Sequence, residues 1–193
     1  MSTVQLIKDN FIQSIEAKQE AMQYLVEPIH QAVNVIVTAF NSGNKILICG
    51  NGGSAADAQH LAAEFTGRYE KERRPLPAIA LTTDTSALTA IGNDYSFDVI
   101  FSKQVEALGK PGDVLYAIST SGNSKNVIEA IKIAHNIGIT VIAVVGKDGG
   151  AIKQMLRDND VCICPQVKRT ARVQEIHLLT LHTICDAVDN IMF

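Results

Sequence analysis

Apolar residues recur every three or four positions through residues 1–42 of the chain. The series includes Val4, Ile7 and Phe11, and this spacing predicts amphipathic helix. Pro28 falls inside the series, and because proline starts helices well but breaks their interiors, it predicts two helices that meet there. One side of this segment is too apolar to stand alone in water. We therefore predict that the N-terminal helices pack against other subunits of an oligomer.

Beyond this segment, short apolar runs alternate with helix-spaced stretches. The runs are continuous, which is typical of parallel strands covered on both faces. The five predicted strands are residues 45–49, 77–81, 113–119, 140–145 and 161–164. The predicted helices are residues 54–67, a stretch after Asp84, 97–108, 124–137 and 170–190, with a loop at 146–150. This order predicts an α/β fold, a doubly wound five-stranded parallel sheet, in a single domain over residues 1–193.

Composition and charge argue against a nucleic-acid-binding, secreted or membrane-spanning protein. The 193 residues carry a formal net charge of −3 with the charges interspersed, and the basic face of a nucleic-acid binder is absent. No apolar run resembles a secretory signal or approaches the ~20 residues that span a bilayer. The four cysteines lie in apolar segments as reduced core residues would; Cys162 and Cys164 share a strand face, but a metal pair there would lack a second pair. We expect a cytoplasmic protein with no membrane partner and no direct nucleic-acid partner.

The loop after the third predicted strand is rich in hydroxyl groups. It reads Ser119-Thr120-Ser121-Gly122-Asn123-Ser124 and leads into a helix. A helix N-terminus offers free N–H groups and the positive end of a dipole, both of which favour an anion. An N-cap would account for Ser124 or Asn123 alone, but not for the whole cluster. The loop therefore predicts a phosphate site that needs no lysine.

The first predicted strand ends in a second polar turn, Gly50-Asn51-Gly52-Gly53-Ser54. Its glycines do not follow the dinucleotide-binding spacing, and the GK[ST] of a Walker motif is missing. Taken alone, such a turn also arises for packing reasons. Because ligands of these sheets lie beyond the carboxyl ends of the strands, the two turns together predict a phosphorylated sugar, with one turn at its phosphate and the other at its hydroxyl groups.

Candidate metal-binding groups lie on two of the predicted helices. His60 and Glu64 are four residues apart and share a helix face, although an ordinary solvated pair has the same spacing. Gln174 and His182 are about two helical turns apart on the last helix, with His177 as the rival to His182. These groups could form a zinc site with nitrogen and oxygen ligands, but glutamine is an unusual zinc ligand. Spacing alone leaves both interpretations open.

The interconversion of an aldose and a ketose would use the same groups. That reaction moves a proton between adjacent carbons through an enediol, and it needs a base, an acid and a group that stabilises the oxyanion. Glu64 and His182 could supply the base and the acid, and a metal or the Asn51 region the oxyanion stabilisation. The sequence therefore predicts an enzyme that isomerises a sugar phosphate.

Five segments, read together, resemble the phosphoheptose isomerases of the sugar isomerase (SIS) domain family. They are CGNGGSAADAQHLAAE, IGNDYSF, ISTSGNS, GKDGG and ARVQEIHLLTLH, and the resemblance extends over nearly the whole chain. It implies conversion of sedoheptulose 7-phosphate to D-glycero-D-manno-heptose 7-phosphate, a step towards the ADP-heptose of lipopolysaccharide cores. It also implies a homotetramer with active sites at subunit interfaces and one zinc ion per subunit.

Matched position by position, the resemblance implies roles for individual residues. The acid/base pair would be Glu64 and His182, and the zinc ligands His60, Glu64, Gln174 and His182. The substrate contacts would be Asn51, Gly52, Gly53, Glu64, Asn93, Asp94, Ser119, Thr120, Ser121, Ser124 and Gln174. Because zinc holds a carboxylate in its charged form and weakens it as a base, we expect that Glu64 acts while it is bound to the metal or that the metal shifts as substrate binds.

Some positions fall outside this pattern. Some of these isomerases carry an aspartate just before the Arg-x-Gln-Glu segment, where this chain has Ala171, so a sugar contact from that side chain is not expected. His177 is predicted to support the site or an interface. The basic run from Arg68 to Arg74 is predicted to be a solvated loop.

Two alternatives belong to other functional classes. The first is a non-catalytic tetramer similar to the replication-initiator-associating protein of bacteria, which shares the ending seen here as ICDAVDN. That resemblance implies loss of the groups at Glu64 and His182 and an arginine in place of Ser121, whereas this chain retains all three. The second is a sugar-phosphate sensor, but the N-terminal helices lack the basic charge of a DNA-binding helix-turn-helix. The retained proton-transfer groups favour the enzyme.

Overall fold

A five-stranded, all-parallel sheet forms the centre of the computed structural model, which describes residues 1–193. Its strands are β1 (Ile46–Cys49), β2 (Ala78–Ala80), β3 (Val114–Ser119), β4 (Thr140–Val145) and β5 (Val161–Ile163). Their order across the sheet is β2-β1-β3-β4-β5, and every neighbouring pair is parallel. The predicted α/β fold is confirmed, with each strand end within one residue of its predicted position.

Helices cover both faces of the sheet. They are α1 (Thr3–Asn41), α2 (Gly53–Thr66), α3 (Thr85–Asp94), α4 (Ser102–Leu108), α5 (Lys125–Ile137), α6 (Gly150–Met155) and α7 (Thr170–Met192). α1, α2 and α7 pack on one face, where Ile46 and Ile48 of β1 point, and α4, α5 and α6 pack on the other, where Leu47 points. Two apolar layers explain why the strands read as continuous apolar runs.

One helix, not two, forms the N-terminal segment. The predicted break at Pro28 is wrong, because α1 runs unbroken for 39 residues with Pro28 inside it. Leu25 before the proline and Ala32 and Val33 after it are buried in the same core. Packing on both sides of Pro28 therefore offsets the backbone hydrogen bond that proline removes.

Two shorter elements also differ from the prediction. The predicted helix at 97–108 is divided into a 3-10 turn at Phe97–Val99 and α4 from Ser102. Ile100 and Phe101, which lie between them, are buried in the core. The predicted loop at 146–150 leads directly into α6. A helix of six residues is too short to show a periodic pattern in the sequence.

Several large apolar side chains of α1 have no cover within the chain. Its first four turns expose half or more of Val4, Leu6, Ile7, Phe11, Ile12 and Ile15. None of the helices combines the length and the hydropathy that a membrane crossing requires. Further along, α1 packs against α7. Tyr24 Oη of α1 also accepts a 2.9 Å hydrogen bond from the backbone N–H of Gln166, in the connection between β5 and α7.

Candidate active site

The two polar turns lie side by side at the carboxyl end of the sheet. β1 and β3 are neighbours, and the strand order changes direction between them, so their turns flank the switch point where ligands of such sheets bind. Two amides join the turns: Asn51 Nδ2 donates to Asn126 Oδ1, and Asn126 Nδ2 donates to Asn51 Oδ1, each over 2.9 Å. The two polar turns are therefore adjacent at this switch point.

The hydroxyl groups of the turn after β3 do not cap α5. The Oγ atoms of Ser119 and Ser124 lie 2.9 Å apart, and the Ser124 side chain makes no capping hydrogen bond to α5. An N-cap therefore does not explain Ser124. Thr120 and Ser121 are half-buried on the same turn, so four hydroxyl groups stand at the start of α5.

Close packing against the start of α6 holds this turn in place. Gly122 has a φ of +66°, and a Cβ at this position would collide with the carbonyl oxygen of Gly149. The backbone N–H of Ile152 donates to the carbonyl of Gly122 over 2.9 Å, and that of Ala151 donates to Asn123 Oδ1 over 3.0 Å. The GKDGG segment therefore supports the hydroxyl-rich turn from behind.

The turn after β1 meets the second turn of α7. Gly52 has a φ of +57°, and a Cβ built on Gly53 would lie 2.5 Å from Nε2 of Gln174. Glycine at position 53 therefore makes room for the Gln174 amide. The predicted substrate contacts Asn51, Gly52, Gly53 and Gln174 thus gather at the start of α2.

A cluster of three metal-binding side chains lies further along α2 and α7. His60 Nε2 lies 2.9 Å from Glu64 Oε1, and His182 Nε2 lies 3.4 Å from His60 Nε2. It is the one group of three or more His, Cys, Asp or Glu residues whose ligand atoms all lie within 4.8 Å of one another. The ring of Tyr69 packs beside His182, with 5.9 Å between the centroids. Packing of α2 against α7 brings together groups that are distant in sequence.

The geometry and chemistry of this cluster fit a zinc ion. Two ligand atoms each ~2.1 Å from a tetrahedral zinc ion lie ~3.4 Å apart. The His60–His182 nitrogen separation of 3.4 Å matches this value, and the 2.9 Å between His60 and Glu64 is somewhat shorter. Two imidazole nitrogens and one carboxylate are a ligand set that zinc uses in catalytic sites, where a fourth position stays open.

Gln174, the fourth predicted ligand, is placed elsewhere. Its amide lies over Gly53, two helical turns before His60 on α2, and it makes no hydrogen bond to His60, Glu64 or His182. The structure therefore brings three of the four predicted ligands together, and metal binding by Gln174 stays a prediction.

His177, the rival to His182, is excluded from the cluster. Its side chain is 2% exposed, and its Nε2 donates to the carbonyl oxygen of Val145 over 2.8 Å. Burial lowers the pKa of His177 to about 4, although the hydrogen bond to Val145 opposes this shift. His177 is therefore a neutral support for the end of β4.

Asn93 and Asp94 make no hydrogen bond to either of the two turns. Both are exposed at the end of α3, and Asn93 Nδ2 donates to Asp94 Oδ1 over 2.9 Å. Their contact with substrate stays a prediction.

Arg73 is not part of a solvated loop, and that prediction is wrong for this residue. Its side chain is 0% exposed, and its Nε lies 2.7 Å from Asp189 Oδ1 on α7. Its guanidinium also donates to the carbonyl oxygens of Glu64 and Phe65, over 2.8 and 2.9 Å. Arg73 therefore closes the C-terminal end of α2, directly behind Glu64. A basic run gives no signal that distinguishes a buried arginine from exposed ones.

Comparisons with known proteins identify the family to which the chain belongs. The sequence model of the SIS domain matches residues 10–146, and the chain belongs to this family. A phosphoheptose isomerase from Neisseria gonorrhoeae is 59% identical over 193 residues, which cover 100% of this chain and 98% of that protein. Within the SIS domain family, its similarity is thus to phosphoheptose isomerases.

Solved structures of phosphoheptose isomerases have the same fold as this chain. A phosphoheptose isomerase structure from Neisseria gonorrhoeae superposes with a TM-score of 0.94 at 56% identity, covering 98% of this chain and 100% of that one. A phosphoheptose isomerase from Francisella tularensis has a TM-score of 0.96 at 42% identity, with the same coverage of both chains. The agreement extends over the N-terminal helix and the closing helix as well as the sheet.

Proposed function

We propose that this protein is a phosphoheptose isomerase that converts sedoheptulose 7-phosphate to D-glycero-D-manno-heptose 7-phosphate. The observation that carries the proposal is the cluster of His60, Glu64 and His182 on α2 and α7. The N-terminal parts of these two helices, together with the hydroxyl-rich turn after β3, would form a polar cleft for the sugar phosphate. Relatives of full length that bear this enzyme name support the choice of substrate. The proposed setting is the cytoplasmic synthesis of ADP-heptose for lipopolysaccharide cores.

The two turns have separate roles in binding. The phosphate lies on the turn after β3, where Ser119, Thr120, Ser121 and Ser124 offer hydroxyl donors and α5 offers free N–H groups. The sugar hydroxyls lie towards Asn51, Gly52, Gly53 and Gln174, with Asn93 and Asp94 as further contacts. The seven-carbon chain of the substrate would extend from the phosphate at the turn after β3, past the turn after β1, towards the metal-binding cluster.

His60, Glu64 and His182 would hold one zinc ion per subunit, with Gln174 as a fourth ligand if its amide turns away from Gly53. Such an ion supplies a Lewis acid that polarises the sugar carbonyl and stabilises the developing oxyanion. The partly exposed side chains of His60 and Glu64, 39% and 21%, leave this part of the cluster accessible from the cleft.

Glu64 and His182 would move the protons. The Glu64 carboxylate removes a proton from carbon 1 of the open-chain ketose, and the electron pair of that C–H bond forms the enediol. The Glu64 carboxyl, whose side chain is 21% exposed, exchanges this proton with water and then protonates carbon 2 to give the aldose. His182 would transfer a proton between the two neighbouring oxygens once its Nε2 is free of the metal. Arg73 binds the carbonyl of Glu64 over 2.8 Å and so fixes the backbone from which the base acts.

The exposed apolar surface supports a homotetramer. The first turns of α1 expose Phe11 and Ile15, and a groove between α1 and α7 is lined by Met22, Val26 and Leu179. Apolar surface of this size on one face is typical of a subunit interface. We also infer that residues 1–193 form a single domain. The chain has one five-stranded sheet, and both hydrophobic layers pack on the faces of that sheet.

The scaffold alternative has less support. It predicts an eroded proton-transfer set, whereas Glu64 and His182 lie within one cluster with His60. The relatives compared above carry an enzyme name. No observation favours the sensor.

A coupled turnover assay tests the proposal. Sedoheptulose 7-phosphate is the substrate, and a heptose kinase that consumes the product is the reporter. We expect turnover that is lost with a zinc chelator and returns with added zinc. Turnover that is indifferent to the chelator would keep the isomerase and remove the metal from it. A well-folded, zinc-loaded protein without turnover would contradict the proposed function.

A further inference from the structure

Asn126 is a buried amide for which the proposed chemistry has no direct use. It is the second residue of α5, and its side chain is only 2% exposed. A buried amide costs free energy unless its donors and acceptors are paired. Both bonds that Asn126 makes through its amide go to Asn51, on the other polar turn, over 2.9 Å each.

The pairing constrains the orientation of Asn51. A side-chain amide has two N–H donors and two lone pairs on its oxygen. The reciprocal pair uses one N–H and one lone pair of Asn51, and it leaves one of each directed away from Asn126. Rotation of the Asn51 amide alone by half a turn would set oxygen against oxygen and N–H against N–H. The two amides can therefore not turn independently.

The pair also bridges the two polar turns. Asn51 follows β1, and Asn126 lies two residues after Ser124 in the turn after β3. Two hydrogen bonds between these turns fix the distance from the proposed phosphate site to the proposed sugar site. No other side-chain hydrogen bond joins the two turns directly.

We propose that Asn126 is a positioning residue for Asn51: it holds the Asn51 amide so that its free N–H and free lone pair face the reacting end of the sugar. This inference rests on the proposed function, since it assigns Asn51 to the sugar. The side chain of Asn126 touches no substrate, and it acts only through Asn51.

A double-mutant cycle in kcat/KM tests this role. Asn126→Ala should lower kcat/KM by about tenfold to a hundredfold, because a misplaced contact near the reacting atoms costs that much. The inhibition constant of inorganic phosphate should stay within about threefold, because the hydroxyl groups that bind it are unchanged. In an Asn51→Ala background, the same Asn126→Ala change should cost no more than about threefold, because its only target is gone.

Two further variants separate positioning from folding. Asn126→Asp keeps the side-chain volume but places a carboxylate oxygen against Asn51 Oδ1, so it should lower kcat/KM in the same way even where Asn126→Ala fails to fold. Gln104 is the matched control, because its buried amide also makes two hydrogen bonds, to the carbonyls of Leu81 and Ile100. Gln104→Leu should lower the melting temperature but leave kcat/KM within about threefold.

Two results would overturn the inference. One is an Asn126→Ala loss that is equally large with and without Asn51, which would show that Asn126 acts independently. The other is an Asn126→Ala or Asn126→Asp protein with the kcat/KM of the wild type. If the wild type itself does not turn over sedoheptulose 7-phosphate, the proposed function fails, and the same cycle on the calorimetric affinity for this sugar phosphate decides the inference by the same criteria.

Discussion

The Nε2 atoms of His60 and His182 lie 3.4 Å apart, although 122 residues separate the two histidines along the chain. α2 carries the first and α7 the second, and the two helices pack together on one face of the sheet. Two imidazole nitrogens that face each other either share a proton or direct lone pairs at a common ion. The carboxylate of Glu64 beside them favours the ion, because together the three groups form a zinc-type ligand set.

Removal of either histidine should abolish tight zinc binding. We expect His60→Ala and His182→Ala each to weaken zinc affinity by more than ~100-fold, which is the upper loss seen when a group that merely supports a ligand is removed. Competition with a chromophoric chelator measures this affinity. His30→Ala is the control, because His30 is exposed on α1 and lies in no metal-binding group. Unchanged zinc affinity in either ligand variant would refute the cluster as a metal site.

Gly122→Ala should disable the proposed phosphate site. Its positive φ strains any other residue, and a Cβ would collide with the Gly149 carbonyl, so the hydroxyl-rich turn must move. We expect the inhibition constant of inorganic phosphate to rise by about tenfold or more, as when hydrogen bonds to a charged group are lost. Gly43→Ala is a matched control, since Gly43 has a φ of +73° but nothing lies within 4 Å of a Cβ there. Equal phosphate inhibition in both variants would contradict the assigned site.

Arg73→Met should destabilise the fold strongly. It leaves Asp189 as an unpaired buried charge and frees the carbonyls at the end of α2. Breaking a buried ion pair from one side costs about 3–5 kcal/mol in the free energy of unfolding. Denaturant unfolding at fixed protein concentration measures this. The double variant Arg73→Met/Asp189→Leu should recover part of the loss, because it removes the unpaired charge; a loss below about 1 kcal/mol for Arg73→Met would show that the pair contributes little.

Much of the fold follows from local apolar patterning, and the errors arise where distant packing decides. Continuous apolar runs predicted all five strands within one residue, because each is buried on both faces. The intrinsic preference of Pro28 predicts a break, but α1 is buried on both sides of it. Six residues are too few to give α6 a periodic pattern in the sequence.

The candidate site also contains residues that the sequence predicts and residues that it does not. Helical spacing makes His60, Glu64 and His182 candidates but leaves His177 as a rival to His182. The resemblance to phosphoheptose isomerases implies the set that the structure brings together. Asn126 and Arg73 were not predicted as parts of the site, because their roles depend on partners 75 and 116 residues away, Asn51 and Asp189. The sequence around Asn126 and Arg73 contains no pattern that indicates these partners.

His177 should make the protein sensitive to mild acid. Burial holds its pKa at about 4 in the folded protein, against 6.5 without that environment. The unfolded chain therefore binds the extra proton first, and the stability from burying neutral His177 is complete above pH 6.5 and is lost as pH falls towards 4. The loss amounts to about 3 kcal/mol in total.

His177→Gln isolates this contribution, because glutamine can still donate to the Val145 carbonyl but does not titrate. Between pH 7 and pH 4.5 the variant should lose about 2 kcal/mol less unfolding free energy than the wild type. Denaturant titrations at both pH values measure the difference, in which the carboxylates shared by both proteins cancel. Parallel pH profiles for the two proteins would contradict a neutral, buried His177.

Proton exchange with solvent during turnover tests the central claim most directly. Sedoheptulose 7-phosphate is incubated in D2O with zinc-loaded wild type and with Glu64→Gln, and the product is followed by NMR. We predict deuterium at carbon 2 of the aldose formed by the wild type, and a rate lower by about 100-fold to 10,000-fold in Glu64→Gln, the range that a general base contributes. Product formed at the wild-type rate by Glu64→Gln would contradict isomerisation through an enediol with Glu64 as the base.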